Sequence, residues 1–331
     1  MSRRPRPTPT TPPPRPRWLA ATVGGRRQQT RRYRQAQGAR DRRQRRHGHK
    51  RASKRTAPAK LRIAVGDPEA AVGRDQEKVF RPLDNVPLLA DLDAPLILAY
   101  DVFAQPNDAG LLGGLLRLAL QGLGQAVAVV LGDAGYAGGP DLAAAAALAA
   151  TVYAPWQQND YSAPKAVRYY AKEAFVWSAA EQAYQCPAAE WLRQRSKSRA
   201  RRSGPERIEL RLYAAAPATC QACSLRGQGT GGKGARTISR SEHAEHSEAL
   251  RARLATAEAQ ALYKQRKQTV ELANADLKVQ RGLRRFSGRG LRRAATEIGL
   301  AVLRQDVVAL TQLRSKQSEV AAAATPKPQT D

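Results

Sequence analysis

The stretch VAVVLGDAGYAGGPDL (residues 127–142) indicates the fold class of this chain. Its apolar run, residues 127–131, predicts a short strand, and the turn that follows carries Asp133. A helix is predicted near residues 140–150, and residues 151–154 predict another short strand. This order of strand, turn with a carboxylate, helix and strand is typical of an α/β protein.

The sequence upstream supports the same fold class. Residues 86–90 and 95–103 predict two strands around an acidic turn. A helix start is predicted at residues 107–110, and the leucines that follow lie at positions expected on one apolar side. Helices should therefore pack on a sheet in this part of the chain.

The positive charge of the chain is unevenly distributed. The formal net charge is +28, and the first 60 residues contain 20 Lys and Arg but one acid, Asp41. Repeated prolines and few core-forming residues predict a disordered basic arm there, in which residues 31–46 could form a helix transiently or on nucleic acid. The alternatives are a solvated tail and an arm that binds a polyanion, because neutralising phosphates releases condensed counterions.

Composition also argues against membrane and secreted classes. We find no apolar stretch long enough to span a bilayer and no hydrophobic signal core at the N-terminus. The three cysteines, Cys186, Cys220 and Cys223, cannot form a closed set of disulfides. A reducing compartment fits this number better, so a cytoplasmic location is expected.

A second informative stretch is YKQRKQTVELANADLK (residues 263–278), predicted to lie in a helix over about residues 257–281. Residues spaced by three or four positions share a helical face. With Arg266 at its edge, this face comprises Tyr263, Lys267, Glu271, Asn274 and Lys278. A surface pair between Lys267 and Glu271 is the simplest explanation, but it accounts for those two residues alone.

A site for chemistry is the alternative explanation. Asp133 and Glu271, far apart in sequence, could meet over divalent metal ions that activate a water in phosphoryl displacement. Mg²⁺ suits oxygen ligands and phosphate substrates. Lysine and arginine on the same helical face, Lys267 among them, would then hold a phosphodiester backbone.

Several motifs follow one another in an order that carries a family resemblance. They are GDPEAAVGRD (66–75), FAQPNDAG (103–110), LGDAGYAGGPDL (131–142), YAPWQQNDYSAPK (153–165), CQACSLR (220–226), ISRSEHAEH (238–246) and YKQRKQTVELANADLK with LRRFSGRGL (263–291). Over about residues 61–313 the chain resembles the DDE transposases of bacterial insertion sequences that have a cysteine-bearing insertion. The resemblance implies an RNase H-like mixed sheet flanked by helices, with metal-dependent DNA cleavage and strand transfer in DNA transposition.

The resemblance also implies roles for individual residues. Asp133 matches the family's second catalytic aspartate and Glu271 its catalytic glutamate, and both would hold Mg²⁺ in a two-metal site. Tyr263, Arg266 and Lys278 match the signature around that glutamate and would contact DNA phosphates. The implied partners are the terminal repeats of the element and a second copy of the chain in a synaptic complex, in the bacterial cytoplasm and at the nucleoid when bound to DNA.

The predicted organisation has five parts. They are a disordered basic arm (1–60), the first part of the RNase H-like catalytic domain (61–155), a cysteine-containing insertion (156–240), C-terminal helices of the catalytic domain that carry Glu271 (241–313) and a disordered tail (314–331).

The chain departs from the family pattern in several places, and two of them bear on the proposed metal sites. The family's first catalytic aspartate is not evident upstream of Asp67, whose Asp-Pro-Glu-Ala motif we interpret as structural, and we expect a truncated or decayed copy. The insertion usually supplies four cysteines, whereas Gly229 replaces the fourth here, which makes a Zn²⁺ site on Cys186, Cys220 and Cys223 doubtful. Two hypotheses remain, an active transposase and a non-catalytic DNA-binding remnant.

Overall fold

The structure is a computed structural model that describes residues 22–48, 62–74, 78–156, 169–203 and 206–324. The helices are α1 (Val23–Gly48), α2 (Leu112–Leu123), α3 (Gly139–Ala147), α4 (Pro217–Ala222), α5 (Arg226–Gly229), α6 (Ala244–Leu254), α7 (Ala257–Lys264), α8 (Val270–Ala275) and α9 (Leu291–Ala324). The strands are β1 (Ala71–Arg74), β2 (Phe80–Leu83), β3 (Leu88–Ala90), β4 (Ile97–Tyr100), β5 (Val129–Leu131), β6 (Thr151–Tyr153), β7 (Val176–Ser178), β8 (Ala183–Gln185), β9 (Trp191–Ser203), β10 (Glu206–Ala214) and β11 (Thr237–Ser241).

The described part of the chain divides into two compact units. The first comprises the described residues up to Asp84 together with residues 287–294. The second comprises residues 85–286 and the described residues from Ala295 onwards. Within these residues, no helix is long and apolar enough to cross a membrane.

The second unit begins with the strands and helices that the sequence predicted. β3 and β4 pair antiparallel, and β5 and β6 pair in parallel. Between them, α2 and α3 contribute to a core whose buried members include Leu112, Leu116, Val130, Leu142 and Val152. This arrangement confirms the α/β class. In the part that the structure describes, the two pairs are separate two-stranded sheets, so one RNase H-like sheet stays a prediction.

α2 has a defined start and end. At its C-terminus, Gly124 adopts a φ of 70° and its N–H bonds to the carbonyl of Leu120, a left-handed cap that glycine accommodates without strain. At its N-terminus, the carboxylate of Asp141 accepts hydrogen bonds from the N–H groups of Gly110 (2.7 Å) and Leu112 (3.0 Å). Asp141 lies in the first turn of α3 and is buried, so it ties the starts of the two helices together.

A five-stranded antiparallel sheet occupies the region predicted as an insertion of short strands and loops. Its order is β11-β10-β9-β8-β7. A core of buried side chains, which includes the aromatic rings of Tyr184 and Tyr213, stabilises the sheet. Two of the strands, β9 and β10, are much longer than the others and form a hairpin that the sequence did not predict. Whether the region is an insertion in a larger domain stays a prediction.

Arg240 of β11 connects this sheet to α6. Its guanidinium bonds both carboxylate oxygens of Glu248, one of them at 3.2 Å. The same group stacks over the ring of Trp177 at 4.1 Å and donates to the hydroxyl of Tyr184. A buried arginine that is paired and stacked in this way keeps its charge satisfied, and its hydrogen bonds to Glu248 raise its pKa despite the opposing effect of burial.

In the first unit, the Asp-Pro-Glu-Ala motif performs a structural role. One carboxylate oxygen of Asp67 accepts from the N–H of Ala70, and the other accepts from the N–H of Gly290 at 2.9 Å. Glu69 accepts from the N–H of Leu291, the first residue of α9. Carboxylates at these free amides are favourable because the N-terminus of a helix carries partial positive charge.

Two segments are helical where disorder was predicted. α1 covers residues 23–48, inside the predicted basic arm, and α9 continues past residue 313 to Ala324. Arginine, glutamine and alanine are strong helix formers, and no proline interrupts α1. Ala36 and Ala39 of α1 are buried, and Arg43 donates to the carbonyl of Ala70. The rest of the predicted arm, and the tail beyond Ala324, lie outside the described residues.

Leu250→Ala tests the core of the second unit. Leu250 of α6 is 1% exposed and packs in the same core as Leu142 and Val152. Truncation should lower the free energy of unfolding by about 2–5 kcal/mol, because it leaves a cavity. Chemical denaturation followed by circular dichroism measures the change. Leu300→Ala is the matched control, since Leu300 is 65% exposed, and an equal loss in both variants would contradict the assigned packing.

Asp84→Asn tests the electrostatics of the first unit. Burial, followed by the charges of Asp67 and Glu69, raises the pKa of Asp84 from 3.8 to about 6. Because the carboxyl ionises more easily in the unfolded chain, the wild-type free energy of unfolding should fall as the pH rises from about 4 to about 6. Denaturation across this range should show the Asn variant gaining on the wild type above pH 4. Two parallel curves would refute the buried carboxyl.

Candidate active site

Asp133 lies directly after β5, as the sequence predicted. It caps a short 3₁₀ turn over Ala134–Tyr136, and its Oδ1 atom accepts from the N–H of Gly135 at 2.8 Å. The backbone of Gly132 pairs with Tyr153 and extends the β5–β6 ladder to the residue before Asp133. The aspartate is therefore held at a strand end by both backbone pairing and a local side-chain bond.

Asp108 is a second carboxylate at this position, and the sequence analysis did not select it. A Cβ atom added to Gly135 would lie 2.9 Å from Oδ1 of Asp133 and 3.4 Å from Oδ2 of Asp108, so the two carboxylates are neighbours. Asn85 donates to Oδ1 of Asp108 at 2.7 Å and fixes its orientation. The available signal was positional, since Asp108 and Asp133 both lie in loops that lead into helices.

The pKa of Tyr136 reflects the negative charges of the aspartates around it. Burial raises the pKa of its phenol far above the ordinary value, and the charges of Asp108, Asp133 and Asp141 raise it further. The phenol therefore stays neutral at physiological pH. The positive charge of Arg266 acts in the opposite direction and lowers the pKa of Tyr136.

Arg266 also forms an ion pair with Glu271. Its Nη1 atom lies 3.3 Å from Oε1 of the glutamate, whose side chain is 53% exposed. Arg266 thus belongs both to the surroundings of Tyr136 and to those of Glu271. Because Glu271 is half-exposed, this salt bridge contributes little stability, and a competing ligand can break it at a modest cost in free energy.

The single helix predicted over about residues 257–281 is wrong. α7 ends at Lys264, a 3₁₀ segment covers Gln265–Gln268, and Thr269 leaves helical geometry with φ −119° and ψ −85°. The hydroxyl of Thr269 bonds to the carbonyl of Arg266 at 3.2 Å, a local bond that competes with the regular helix. After α8 the chain continues as a π-helical turn over Asp276–Gln280.

The interruption between α7 and α8 changes the helical face that the sequence predicted for residues 263–278. Glu271 lies in the first turn of α8, and its described partner is Arg266 rather than Lys267. Tyr263 is half-buried in α7, and Lys278 is exposed on the π-helical turn. The backbone of Lys267 lies in the 3₁₀ segment, but its side chain is outside what the structure describes. The predicted roles of these residues in contacting DNA stay predictions.

The donor atoms fit a hydrated magnesium ion better than a fully protein-bound one. Asp108 and Asp133 supply neighbouring carboxylates, and Mg²⁺ is commonly bound by one or two carboxylates with water and phosphate completing its shell. Within the residues the structure describes, no group of three or more His, Cys, Asp or Glu side chains could hold a metal ion. The two-metal site on Asp133 and Glu271 therefore stays a prediction.

The three cysteines line the same cavity. Cys186, Cys220 and Cys223 are free thiols that line one cavity. Gly229, the position predicted to replace a fourth cysteine, lines the same cavity. The surrounding wall is largely apolar, with Phe175 among its residues. Among the described residues, no three His, Cys, Asp or Glu side chains are placed to hold one metal ion, and this includes the three cysteines. A Zn²⁺ site here therefore stays doubtful.

A comparison with known families matches the C-terminal part of the chain. Residues 185–311 match the family model described as a transposase DDE domain. The matched range includes the three cysteines, Arg266 and Glu271, and it begins after Asp133. Neither the curated proteins nor the solved structures include a match to this chain.

Gly229→Cys tests the cysteine cavity. An added Cβ at Gly229 meets no atom within 4 Å, so the substitution is sterically free. A closed zinc site prefers four ligands, so the variant should bind about one Zn²⁺ per chain while the wild type binds much less. Metal content after dialysis, measured by mass spectrometry, gives the result. Gly227→Cys is the control, since Gly227 is equally unobstructed but does not line the cavity, and equal zinc in both variants would reject the site.

Proposed function

We propose that this chain, a DDE-type transposase by its match over residues 185–311, cleaves and transfers DNA strands in a metal-dependent reaction. The observation that carries the proposal is the position of Arg266. It acts on Tyr136, beside the carboxylates of Asp108 and Asp133, and it pairs with Glu271. These two interactions of Arg266 support a site in which the carboxylates of the β5 loop act together with Glu271.

Asp133 and Glu271 are the proposed catalytic carboxylates. Asp108 is a neighbour of Asp133 and adds its negative charge to the same site. When bound, Mg²⁺ would activate a water and stabilise the leaving oxygen in an in-line phosphoryl displacement. Asn85 holds Asp108 in a fixed orientation. The neutral phenol of Tyr136 can donate a hydrogen bond to a phosphate oxygen without adding negative charge to the site.

The basic residues around Glu271 are the proposed DNA-binding residues. Arg266 keeps Glu271 in place and has further N–H groups that can bind a phosphate, because a guanidinium carries five donors. Tyr263, Lys267 and Lys278 are the other proposed phosphate contacts. The arginines of α1 add sequence-independent attraction, since one acid, Asp41, lies among them.

The proposed fold and assembly follow from the same function. An RNase H-like catalytic domain would hold the carboxylates, with the cysteine-bearing sheet as an insertion. The partners would be the terminal repeats of an insertion sequence and a second copy of the chain in a synaptic complex. We place this activity in the bacterial cytoplasm, at the nucleoid.

A non-catalytic DNA-binding protein is the second candidate function. The residues the structure describes provide no set of three metal-binding side chains, and Glu271 is engaged by Arg266. A remnant of this kind would keep the basic surface while having lost the reaction. Its DNA affinity should fall steeply with salt and show little preference for element ends.

A cleavage assay separates the two functions. The substrate is linear duplex DNA that includes the genomic sequence on both sides of this coding region, incubated with the full chain and Mg²⁺. Denaturing gels should show strand cleavage by the wild type and background levels for Asp133→Asn and Glu271→Gln, which remove proposed metal ligands. Asp108→Asn should reduce the rate by about 10–100-fold, as expected for a group that orients a metal site.

Glu258→Gln is the control for loss of an acid. Glu258 is exposed in the first turn of α7 and outside the site, so this variant should cleave like the wild type. A wild-type chain that binds the duplex without cleaving it would favour the second function. Unchanged cleavage by the Asp133 and Glu271 variants would reject the assigned carboxylates.

A further inference from the structure

α9 carries a row of exposed apolar side chains in its middle part. Its members are between 45% and 65% exposed, and they are Leu300, Leu303, Val307 and Leu310. Their spacing of three, four and three residues places them on one side of the helix. We call these four residues the α9 stripe. Single apolar side chains on a surface are ordinary, whereas a continuous row of them is typical of an interaction surface.

The opposite side of α9 is the one that packs within the second unit. Its buried residues there are Ile298, Val302, Gln305 and Ala309. At ~100° per residue, Val302 lies about 200° around the helix from Leu300, so the buried side and the stripe face nearly opposite directions. The N–H of Ile97 in β4 donates to Asp306 at 3.0 Å and fixes the helix in this orientation. Packing within the second unit therefore leaves the stripe uncovered.

The charge around the stripe differs from that of the chain as a whole. Residues 294–313 contain two acids, Glu297 and Asp306, and one base, Arg304, which gives a net charge of −1 in a chain of net charge +28. A polyanion is therefore not the complementary partner of this face. Two copies of the face would also meet without the repulsion expected between the basic parts of the chain.

The spacing makes the stripe complementary to itself. Alternating steps of three and four residues are the a and d positions of a heptad, through which one helix packs against another. The series of steps reads the same in both directions along the helix. In an antiparallel pair, Leu300 therefore lies opposite Leu310 of the second copy, and Leu303 lies opposite its Val307. Each member of the stripe then meets an apolar side chain.

The next position of the series favours the antiparallel orientation. Arg314 lies four residues beyond Leu310 and is exposed. A parallel pair would place the Arg314 side chains of the two copies side by side, and like charges at such a contact are unfavourable. An antiparallel pair places Arg314 opposite Thr296 instead. Four side chains from each copy form a small interface, so the association should be weak and should depend on protein concentration.

We propose that the α9 stripe binds the same stripe of a second copy of this chain, in antiparallel orientation and in the absence of DNA. The synaptic complex of the proposed function needs DNA ends, whereas this contact requires α9 alone. The inference therefore does not rest on the proposed function.

Sedimentation of the full chain tests the contact. Nuclease treatment, EDTA and high salt remove nucleic acid that could bridge two basic chains. The average mass should then rise towards that of a dimer over a hundred-fold increase in protein concentration. Leu303→Lys should raise the dissociation constant by more than about tenfold, because substitutions at the centre of an interface weaken binding most.

Val308→Lys is the matched control. Val308 is 43% exposed on the same helix, but it lies ~100° around the helix from Val307 and outside the stripe. This variant should associate like the wild type. Circular dichroism should show the helix content of the wild type in both variants, because both substituted side chains are exposed.

An exchange of charges tests the orientation. Leu303→Lys combined with Val307→Glu in one chain places a lysine opposite a glutamate at both central contacts of an antiparallel pair. The double variant should therefore recover much of the association that Leu303→Lys loses. In a parallel pair each new charge would face its own kind, and the loss would become larger.

Three results would overturn the proposal. One is a wild-type chain that stays monomeric over the whole concentration range. Another is equal association of the Leu303→Lys and Val308→Lys variants. The third is a monomer whose thermal stability falls with Leu303→Lys but not with Val308→Lys, since a segment of the same chain would then cover the stripe.

Association and cleavage fail independently. A chain that never cleaves DNA but forms dimers through the stripe would reject the catalytic function and keep this contact. A chain that cleaves DNA but stays monomeric in its absence would keep the catalytic function and reject the contact.

Discussion

The carboxylate of Asp141 is the interaction on which the candidate site depends. It is 2% exposed and accepts hydrogen bonds from the N–H groups of Gly110 and Leu112, which would otherwise be unsatisfied at the start of α2. Because Asp141 belongs to the first turn of α3, the contact joins two helix starts. Asp108 and Asp133 lie in the loops that lead into these helices, so the same contact keeps the two carboxylates together.

Bringing carboxylates together has an electrostatic cost that needs positive charge nearby. Asp108, Asp133 and Asp141 all act to keep the phenol of Tyr136 protonated, and Arg266 opposes them. A divalent cation or the guanidinium of a neighbouring arginine can compensate such a field. Glu271 is half-exposed and its ion pair with Arg266 is weak, which is compatible with the proposed function, in which a metal ion and a phosphate would replace this pair.

The five-stranded sheet has a packed end that is attached to α6 through a buried arginine. Arg240 is buried, paired with Glu248 and stacked on Trp177, so it stabilises the attachment of the sheet to α6. Beyond this packed end, the backbones of β9 and β10 pair with each other as a long hairpin.

Local patterns in the sequence determined the α/β order, the strand before Asp133 and the resemblance to transposases that the match over residues 185–311 supports, because each depends on residues close together in the chain. The three cysteines and Gly229 line one cavity, while a Zn²⁺ site on the cysteines stays a prediction. The tertiary structure decided the rest. Thr269 breaks the predicted helix through its own hydroxyl bond, the long hairpin follows from pairing that its basic pattern did not indicate, and Asp108 reaches Asp133 because a distant carboxylate, Asp141, satisfies backbone amides that no local residue could.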